Sequence, residues 1–222
     1  MEQIRSFFAG LDYTVLYVII ASVLAIMLHE LCHGLAAKLM GDRTASRMGR
    51  LSLNPLRHID LMGLLMMVFF RVGWAKPVPV DMDRFKRPKL GMAITALAGP
   101  LCNMVLAFTA LLLRGIVLVL VYRFGVQNLM WLLDFLAVFA QLNIGLGVFN
   151  LIPIPPLDGS KILFSLLPEY IYRTILRYER WCMIALMAVL YFGWLTKPLT
   201  AAIVALTDFM WNTALRLVMP LL

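Results

Sequence analysis

His29, Glu30 and His33 form a His-Glu-x-x-His pattern near the end of a long apolar stretch. Residues four apart lie on the same face of a helix, so the two imidazoles can bind one metal ion. Glu30 is one step round the helix, where it could act as general base and take a proton from metal-bound water. Cys32 falls off that face, and we interpret it as a bystander rather than a ligand.

These polar residues lie in a segment that has no packing reason to contain them. The chain of 222 residues is 62% hydrophobic and 14% charged, whereas a soluble domain is about half apolar and a quarter charged. A charged group at bilayer depth costs about 2.5 to 3.5 kcal/mol on insertion scales. The composition therefore predicts an integral membrane protein with one domain, residues 1–222, and argues against a chance match to the motif.

Apolar segments predict an all-α membrane protein with about five transmembrane helices. About 20 residues cross a bilayer, and the predicted spans are residues 11–40, 90–122, 130–152, 181–195 and 199–218. Residues 61–70 are apolar but too short to cross, so they predict a re-entrant or interfacial piece. Residues 72–80 combine β-type side chains with prolines and predict a short extended element. Residues 181–218 would close the fold as a helical hairpin.

Basic residues predict the orientation of these spans. If residues 61–70 do not cross, most of the 20 Lys and Arg residues share one side of the membrane with the end of the first helix. The positive-inside rule makes that side cytoplasmic, so we expect a multi-pass protein with its active site toward the cytoplasm. The net charge of +8 then reflects topology and contacts with anionic membrane lipid, and we expect no nucleic-acid partner.

A catalytic zinc site needs a third protein ligand and an open position for water. The candidates considered are Asp134, Asp158 and His58. If the chain between the two aspartates is helical they are about 36 Å apart, so they cannot both be level with His29. Asp158 follows several prolines at the predicted cytoplasmic end of its span, and broken backbone at membrane depth is tolerated where it lines a wet cavity. Depth therefore favours Asp158, with His58 as the weaker alternative.

Asn103 follows Gly99 and Pro100 at the start of a predicted span. Its amide could hydrogen-bond a substrate peptide or an oxyanion. From spacing alone, a contact between membrane helices is the better interpretation, because small and amide residues are common there.

The cysteines Cys32, Cys102 and Cys182 lie in or beside apolar segments without CxxC spacing. We interpret them as small buried residues rather than as disulfide partners.

Three motifs, HELCH, AGPLCN and NLIPIPPLDG, follow one another along the chain. Together they resemble the signature motifs of the site-2 protease family of intramembrane zinc metalloproteases. The intervening GRLSLNPLRHID and GWAKPVPV resemble the short prokaryotic branch of that family, which lacks a PDZ domain. The resemblance covers roughly residues 20–165. The family usually has Gly after LDG, whereas this chain has Ser160, a change that we expect to leave the site intact.

The resemblance implies a site and a reaction. It implies one zinc ion per chain, bound by His29, His33 and Asp158, with Glu30 as general base and Asn103 as a substrate-positioning residue. It also implies a prokaryotic membrane protease that uses metal-activated water to cleave substrates that are themselves transmembrane proteins, as in regulated intramembrane proteolysis. The catalytic core would be about residues 11–165.

The extended element is our candidate for substrate binding. A transmembrane substrate arrives as a helix whose backbone is satisfied internally, so the enzyme must open it and offer new partners. An exposed sheet edge can pair with an extended peptide, and the contacts expected here are Trp74, Ala75, Lys76, Pro77 and Val78. The alternative is an interfacial loop anchored by Trp74.

Other functions fit the polar residues less well. A di-iron desaturase needs many more than three histidines. A zinc transporter needs a second polar path, and residues 90–120 offer few polar side chains. A catalytically inactive protease-like scaffold or regulator remains the alternative, although the presence of Glu30 argues against it.

Overall fold

The computed structural model describes residues 13–58, 60, 76–168, 170–171, 174 and 177–221, and in these ranges the regular structure is helical, without a strand. The α-helices with both ends there are α1 (Tyr13–Met40), α2 (Thr44–Arg47), α3 (Pro88–Phe124), α4 (Met130–Asn150), α5 (Asp158–Phe164), α6 (Glu179–Tyr191) and α7 (Thr196–Val218). Short 3-10 turns cover Pro55–Arg57, Met82–Arg84, Gln127–Leu129 and Met219–Leu221.

Within the described residues, four helices are long and apolar enough to cross a membrane: α1, α3, α4 together with the turn before it, and α7. They match four of the predicted spans in position, length and apolar character. The fifth, residues 181–195, corresponds to α6, which has 13 residues. At the rise of an α-helix it is about 20 Å long, shorter than a hydrocarbon core of about 30 Å, so the fifth span stays a prediction. The helix α6 ends at Tyr191, and the turn that follows contains Gly193, whose φ is +72°.

Two predicted elements fall largely outside the described ranges. The re-entrant piece, residues 61–70, is entirely outside them, as is the first part of the extended element. Residues 76–80 are described and form neither helix nor strand. Several of their backbone groups bond to side chains instead of to a neighbouring strand: the guanidinium of Arg50 donates to the carbonyls of Lys76 (3.0 Å) and Pro77 (3.1 Å).

The apolar core lies between α3, α4 and α7. Its buried members are Ala110, Leu111, Val117, Val121, Leu133, Leu136, Ala140 and Ala214. Arg114 joins the three helices, because its guanidinium lies 4.7 Å from the ring centre of Trp211 and its Nε donates to the carbonyl of Leu133 (3.3 Å). The buried polar residues Thr95 and Asn103 lie nearer the N-terminal end of α3, and Asn143 lies nearer the C-terminal end of α4.

The end of α1 is tied to residues 76–87. The helix closes with Gly41, whose φ of +114° is that of a glycine helix cap. The buried carboxylate of Asp42 then accepts hydrogen bonds from the backbone N–H groups of Thr44 (2.8 Å) and Asp81 (2.7 Å). These bonds hold the segment 76–87 beside the helix that contains the histidine pair.

Glycines let α1, α3 and α4 approach one another closely. A Cβ on Gly99 of α3 would overlap the rings of His29 and His33. A Cβ on Gly147 of α4 would press on the carbonyl of Pro100 in α3. Small residues at helix crossings are typical of membrane proteins, and here they allow polar side chains from three helices to meet.

Candidate metal centre

Three side chains from distant parts of the chain converge at one point. His29 and His33 lie one turn apart on α1, and Asp158 is the first residue of α5. The two Nε2 atoms are 3.0 Å apart, and Oδ2 of Asp158 lies 3.2 Å from Nε2 of His29 and 3.1 Å from Nε2 of His33. All three residues are buried. Their ligand atoms are close enough to share one ion.

A backbone carbonyl fixes the position of the proton on His33. Its Nδ1 atom lies 2.7 Å from the carbonyl oxygen of Thr95 in α3. A carbonyl can only accept, so Nδ1 carries the hydrogen and Nε2 of the neutral ring presents a lone pair. Pro100, which has no N–H, interrupts the hydrogen bonding of α3 in the same region.

Two asparagines fix the proton on His29 by a longer route. Nδ2 of Asn143 donates to the carbonyl of Phe139 (2.8 Å), so Oδ1 of Asn143 faces Asn103. Nδ2 of Asn103 donates to that oxygen (2.8 Å), and Oδ1 of Asn103 therefore faces Nδ1 of His29 at 2.5 Å. Nδ1 of His29 is thus the donor, and its Nε2 also presents a lone pair. Both asparagines are completely buried.

Three electron-pair acceptors therefore face one another without a hydrogen between them. The atoms that present these lone pairs are 3.0 to 3.2 Å apart, and they repel one another unless a positive charge lies among them. In a tetrahedral zinc site with bonds of about 2.0–2.1 Å, neighbouring ligand atoms are about 3.3 Å apart. Two imidazole nitrogens and one carboxylate oxygen are also a usual catalytic zinc set. The residues present therefore fit a zinc ion that keeps one position open.

The turn between α4 and α5 positions Asp158. Gly159 packs so closely on the chain before it that a Cβ would overlap the carbonyl of Leu151. Nζ of Lys161 lies 3.6 Å from Oδ1, the oxygen that does not face the histidines. The positive charge of Lys161 favours the ionised form of the Asp158 carboxyl, the form that a metal ligand must have.

Glu30 lies beside these ligands and contacts residues 76–80. It is half-buried, and its Oε2 accepts a hydrogen bond from the backbone N–H of Val78 at 2.8 Å. This bond fixes one carboxylate oxygen and brings the segment against α1. A cavity of about 540 Å³ opens here, lined by the three ligands, Glu30, Pro77, Val78 and Lys161, with apolar walls from Ile26, Met92, Leu146 and Phe149. The cavity offers room for an extended peptide beside the ligands.

The structure describes only some of the remaining predicted residues. Asn103 is fully buried, and both ends of its amide are engaged by other side chains, so its contact with substrate stays a prediction. Trp74 and Ala75 lie outside the described residues. His58 is buried elsewhere, with Nε2 2.8 Å from the carbonyl of Ser52, and it does not join the three ligands.

Sequence reasoning missed the groups that orient the imidazoles. Asn143 is 40 residues from Asn103, and no local spacing relates the two. The signal available was an asparagine in each of two adjacent predicted spans, since polar residues at membrane depth usually pair. The carbonyl of Thr95 carries no side-chain signal at all, although Pro100 nearby indicates a disturbed helix.

Comparisons with known proteins agree with this chemistry. The model of the family described as peptidase family M50 matches residues 113–193, a range that includes Asp158 but not the histidine pair. "Putative zinc metalloprotease YwhC" of Bacillus subtilis (strain 168) is 39% identical over 156 residues, which cover 68% of this chain and 69% of that protein. "Putative zinc metalloprotease Rip2" of Mycolicibacterium smegmatis is 27% identical over 186 residues, 81% of this chain and 69% of that protein.

Other relatives match over a shorter stretch. "Putative zinc metalloprotease spr0242" of Streptococcus pneumoniae (strain ATCC BAA-255 / R6) is 34% identical over 93 residues, which cover 42% of this chain and 18% of that protein. No solved structure matches the chain.

The metal centre can be tested by zinc content. We expect purified protein to hold about one zinc ion per chain, and His29→Ala, His33→Ala and Asp158→Ala each to lose most of it, because each removes one of three ligands. Elemental analysis measures the content. His58→Ala removes the other histidine of the chain and should retain the ion. Full retention in Asp158→Ala would move the third ligand away from α5.

Proposed function

The chain belongs to peptidase family M50, the site-2 protease family, and from this premise we propose that it is a zinc-dependent intramembrane endopeptidase that cleaves transmembrane proteins. One observation carries the proposal. Nε2 of His29, Nε2 of His33 and Oδ2 of Asp158 converge as three acceptors, with the Glu30 carboxylate at the same cavity. Three ligands with an adjacent base are the requirements for hydrolysis of a peptide bond.

Glu30 is the group that moves protons in this proposal. Zinc, when bound, supplies a Lewis acid that polarises the substrate carbonyl and lowers the pKa of water. Glu30 takes a proton from the attacking water and later gives it to the nitrogen of the departing amine. The N–H of Val78 holds Oε2 of Glu30 (2.8 Å), which limits rotation of the carboxylate and leaves Oε1 to take up the proton.

The proposed substrate is a transmembrane helix that unwinds locally. Its backbone N–H and C=O groups are satisfied within the helix, so cleavage in an apolar environment requires replacement partners. Residues 76–80 support this role because Pro77, Val78 and Val80 line the cavity next to Glu30. Arg50 holds the carbonyls of Lys76 and Pro77, which keeps this segment in one position. Substrate contacts at Trp74, Ala75, Lys76 and Asn103 are part of the same proposal.

We also propose that the site faces the cytoplasm in a prokaryotic cell membrane. Basic residues are concentrated in the segments that share one side with the end of α1, including Lys38, Arg47, Arg84 and Lys161. Such an excess favours the cytoplasmic side. The same residues would contact anionic lipid headgroups.

Substitution of Glu30 separates catalysis from metal binding. Glu30→Gln keeps the size of the side chain but removes the base, so we expect zinc to remain bound while turnover of a model membrane substrate falls about 10²–10⁴-fold. Glu179→Gln changes the other glutamate that lines the cavity and should have a small effect. Unimpaired cleavage by Glu30→Gln would refute the assigned base. A wild-type protein that holds zinc but cleaves no membrane substrate would favour the scaffold alternative.

Removal of the Val78 N–H tests how Glu30 is held. Val78→Pro deletes the donor to Oε2, and a hydrogen bond to a charged group is worth about 1.5–3 kcal/mol, so we expect a loss of about 10–100-fold with zinc retained. Val78→Ala keeps the N–H and serves as the matched control. A fall in kcat alone indicates positioning of the base, and a rise in KM alone indicates a substrate contact. Equal activity of both variants would leave residues 76–80 without a role in cleavage.

Labelling of single cysteines in a chain without native cysteines tests the orientation. Cysteines at Arg47 and Arg84 should react with an impermeant maleimide only from the cytoplasmic side, and one at Gln127 only from outside, because one crossing of α3 separates them. Labelling of Arg47 and Arg84 from opposite sides would contradict the proposed topology.

A further inference from the structure

Two thiols that the sequence indicates only as small buried residues are in contact. The sulfur atoms of Cys32 in α1 and Cys102 in α3 lie 2.6 Å apart, and both side chains are half-buried free thiols. They are 70 positions apart in the sequence. A disulfide bond is about 2.05 Å long, so a small movement of either side chain would allow the bond to form.

The packing of α1 on α3 explains this contact. Gly99 lets the two helix backbones approach at the level of the histidine pair. Cys102 lies three positions further along the same helix, so it faces α1 as well. Its Sγ also lies 3.7 Å from the carbonyl of Leu28, to which the thiol donates. The thiol pair is therefore part of the helix contact that carries the metal ligands.

We propose that Cys32 and Cys102 are an oxidation site, which forms a reversible disulfide on exposure to a hydroperoxide. One thiol reduces the peroxide and becomes a sulfenic acid, with release of one water molecule when the oxidant is hydrogen peroxide. The second thiol then attacks that sulfur, the S–S bond forms, the S–O bond breaks and a second water leaves. Both hydrogens of the thiols end in water, and a small dithiol reverses the reaction by exchange.

The disulfide would fasten the two helices at the proposed metal centre. Cys32 precedes His33 and Cys102 precedes Asn103, whose amide orients His29. A covalent link between these neighbours would keep the acceptors of α3 against the imidazoles of α1. Groups that orient metal-bound histidines typically change metal affinity by about 10–100-fold. We therefore expect oxidation to slow the loss of zinc to a chelator by about tenfold.

The first measurement counts thiols and does not depend on the metal or on protease activity. Purified full-length protein in detergent is treated with hydrogen peroxide, denatured, and alkylated with a maleimide that shifts its mass. Reduced protein should take up three labels and oxidised protein one, on Cys182, with a return to three after dithiothreitol. Cys182→Ser should fall from two labels to none.

Variants of the pair provide the matched controls. Cys32→Ser and Cys102→Ser each keep two thiols and should keep two labels after the same treatment, because each retains only one member of the pair. Retention of all three labels by the wild type would overturn the proposal. So would an equal loss of labels in the wild type and in Cys32→Ser.

The second measurement, of zinc release, rests on the proposed function, so its result is interpreted separately from the thiol count. Release to a chelator is compared between oxidised and reduced wild type, with oxidised Cys32→Ser as control. Slower release only in the oxidised wild type supports the fastening role, and equal release rates in a protein that has formed the disulfide refute it. A protein that forms the disulfide but binds no zinc would count against the metalloprotease assignment and leave the oxidation site established.

Discussion

The structure depends on one unfavourable contact: two imidazole lone pairs and a carboxylate oxygen lie within about 3 Å of one another. In an apolar interior such a group is stable only if a cation joins it, and only if each ring has its proton on the far side. The requirement explains why α3 must supply acceptors at two levels, the carbonyl of Thr95 and the amide oxygen of Asn103. It also explains Gly99, because any larger residue would hold α3 away from the rings that it orients.

The asparagine pair connects the tautomer of an imidazole in one helix to a backbone carbonyl in another. Asn103 and Asn143 are both fully buried, and each amide has partners at its two ends. The chain of hydrogen bonds begins at the carbonyl of Phe139, which can only accept, and each bond then fixes the direction of the next. The tautomer of His29 is thereby set by a backbone group in α4. Replacing either asparagine with an apolar residue would leave a buried polar atom without a partner, which costs more than the bond itself contributes.

The sequence allowed the three converging side chains of the candidate metal centre to be predicted, but not the groups that orient them. His29 and His33 share a helix face because of their spacing, and Asp158 could be assigned by depth, since prolines end its helix on the side of the histidines. Four of the long apolar helices could also be predicted from length and hydropathy. The contacts between α1, α3 and α4 join residues 40 to 74 positions apart. A single sequence does not show which residues of such distant helices face each other. The fifth span stays a prediction: its apolar stretch corresponds to the short helix α6, which is followed by a turn that contains Gly193.

The hydrogen bond between Glu30 and Val78 adds a constraint on how a substrate can bind. A backbone donor cannot be removed by changing a side chain other than to proline, so this means of holding a carboxylate tolerates variation in the residue itself. The arrangement also places the same segment against the base and along the cavity. In the proposed function, a peptide that enters beside Pro77 and Val78 lies next to Glu30. Arg50 bonds to Lys76 and Pro77, and Asp42 bonds to Asp81, so the proposed base and the proposed substrate path would both depend on this one stretch of backbone.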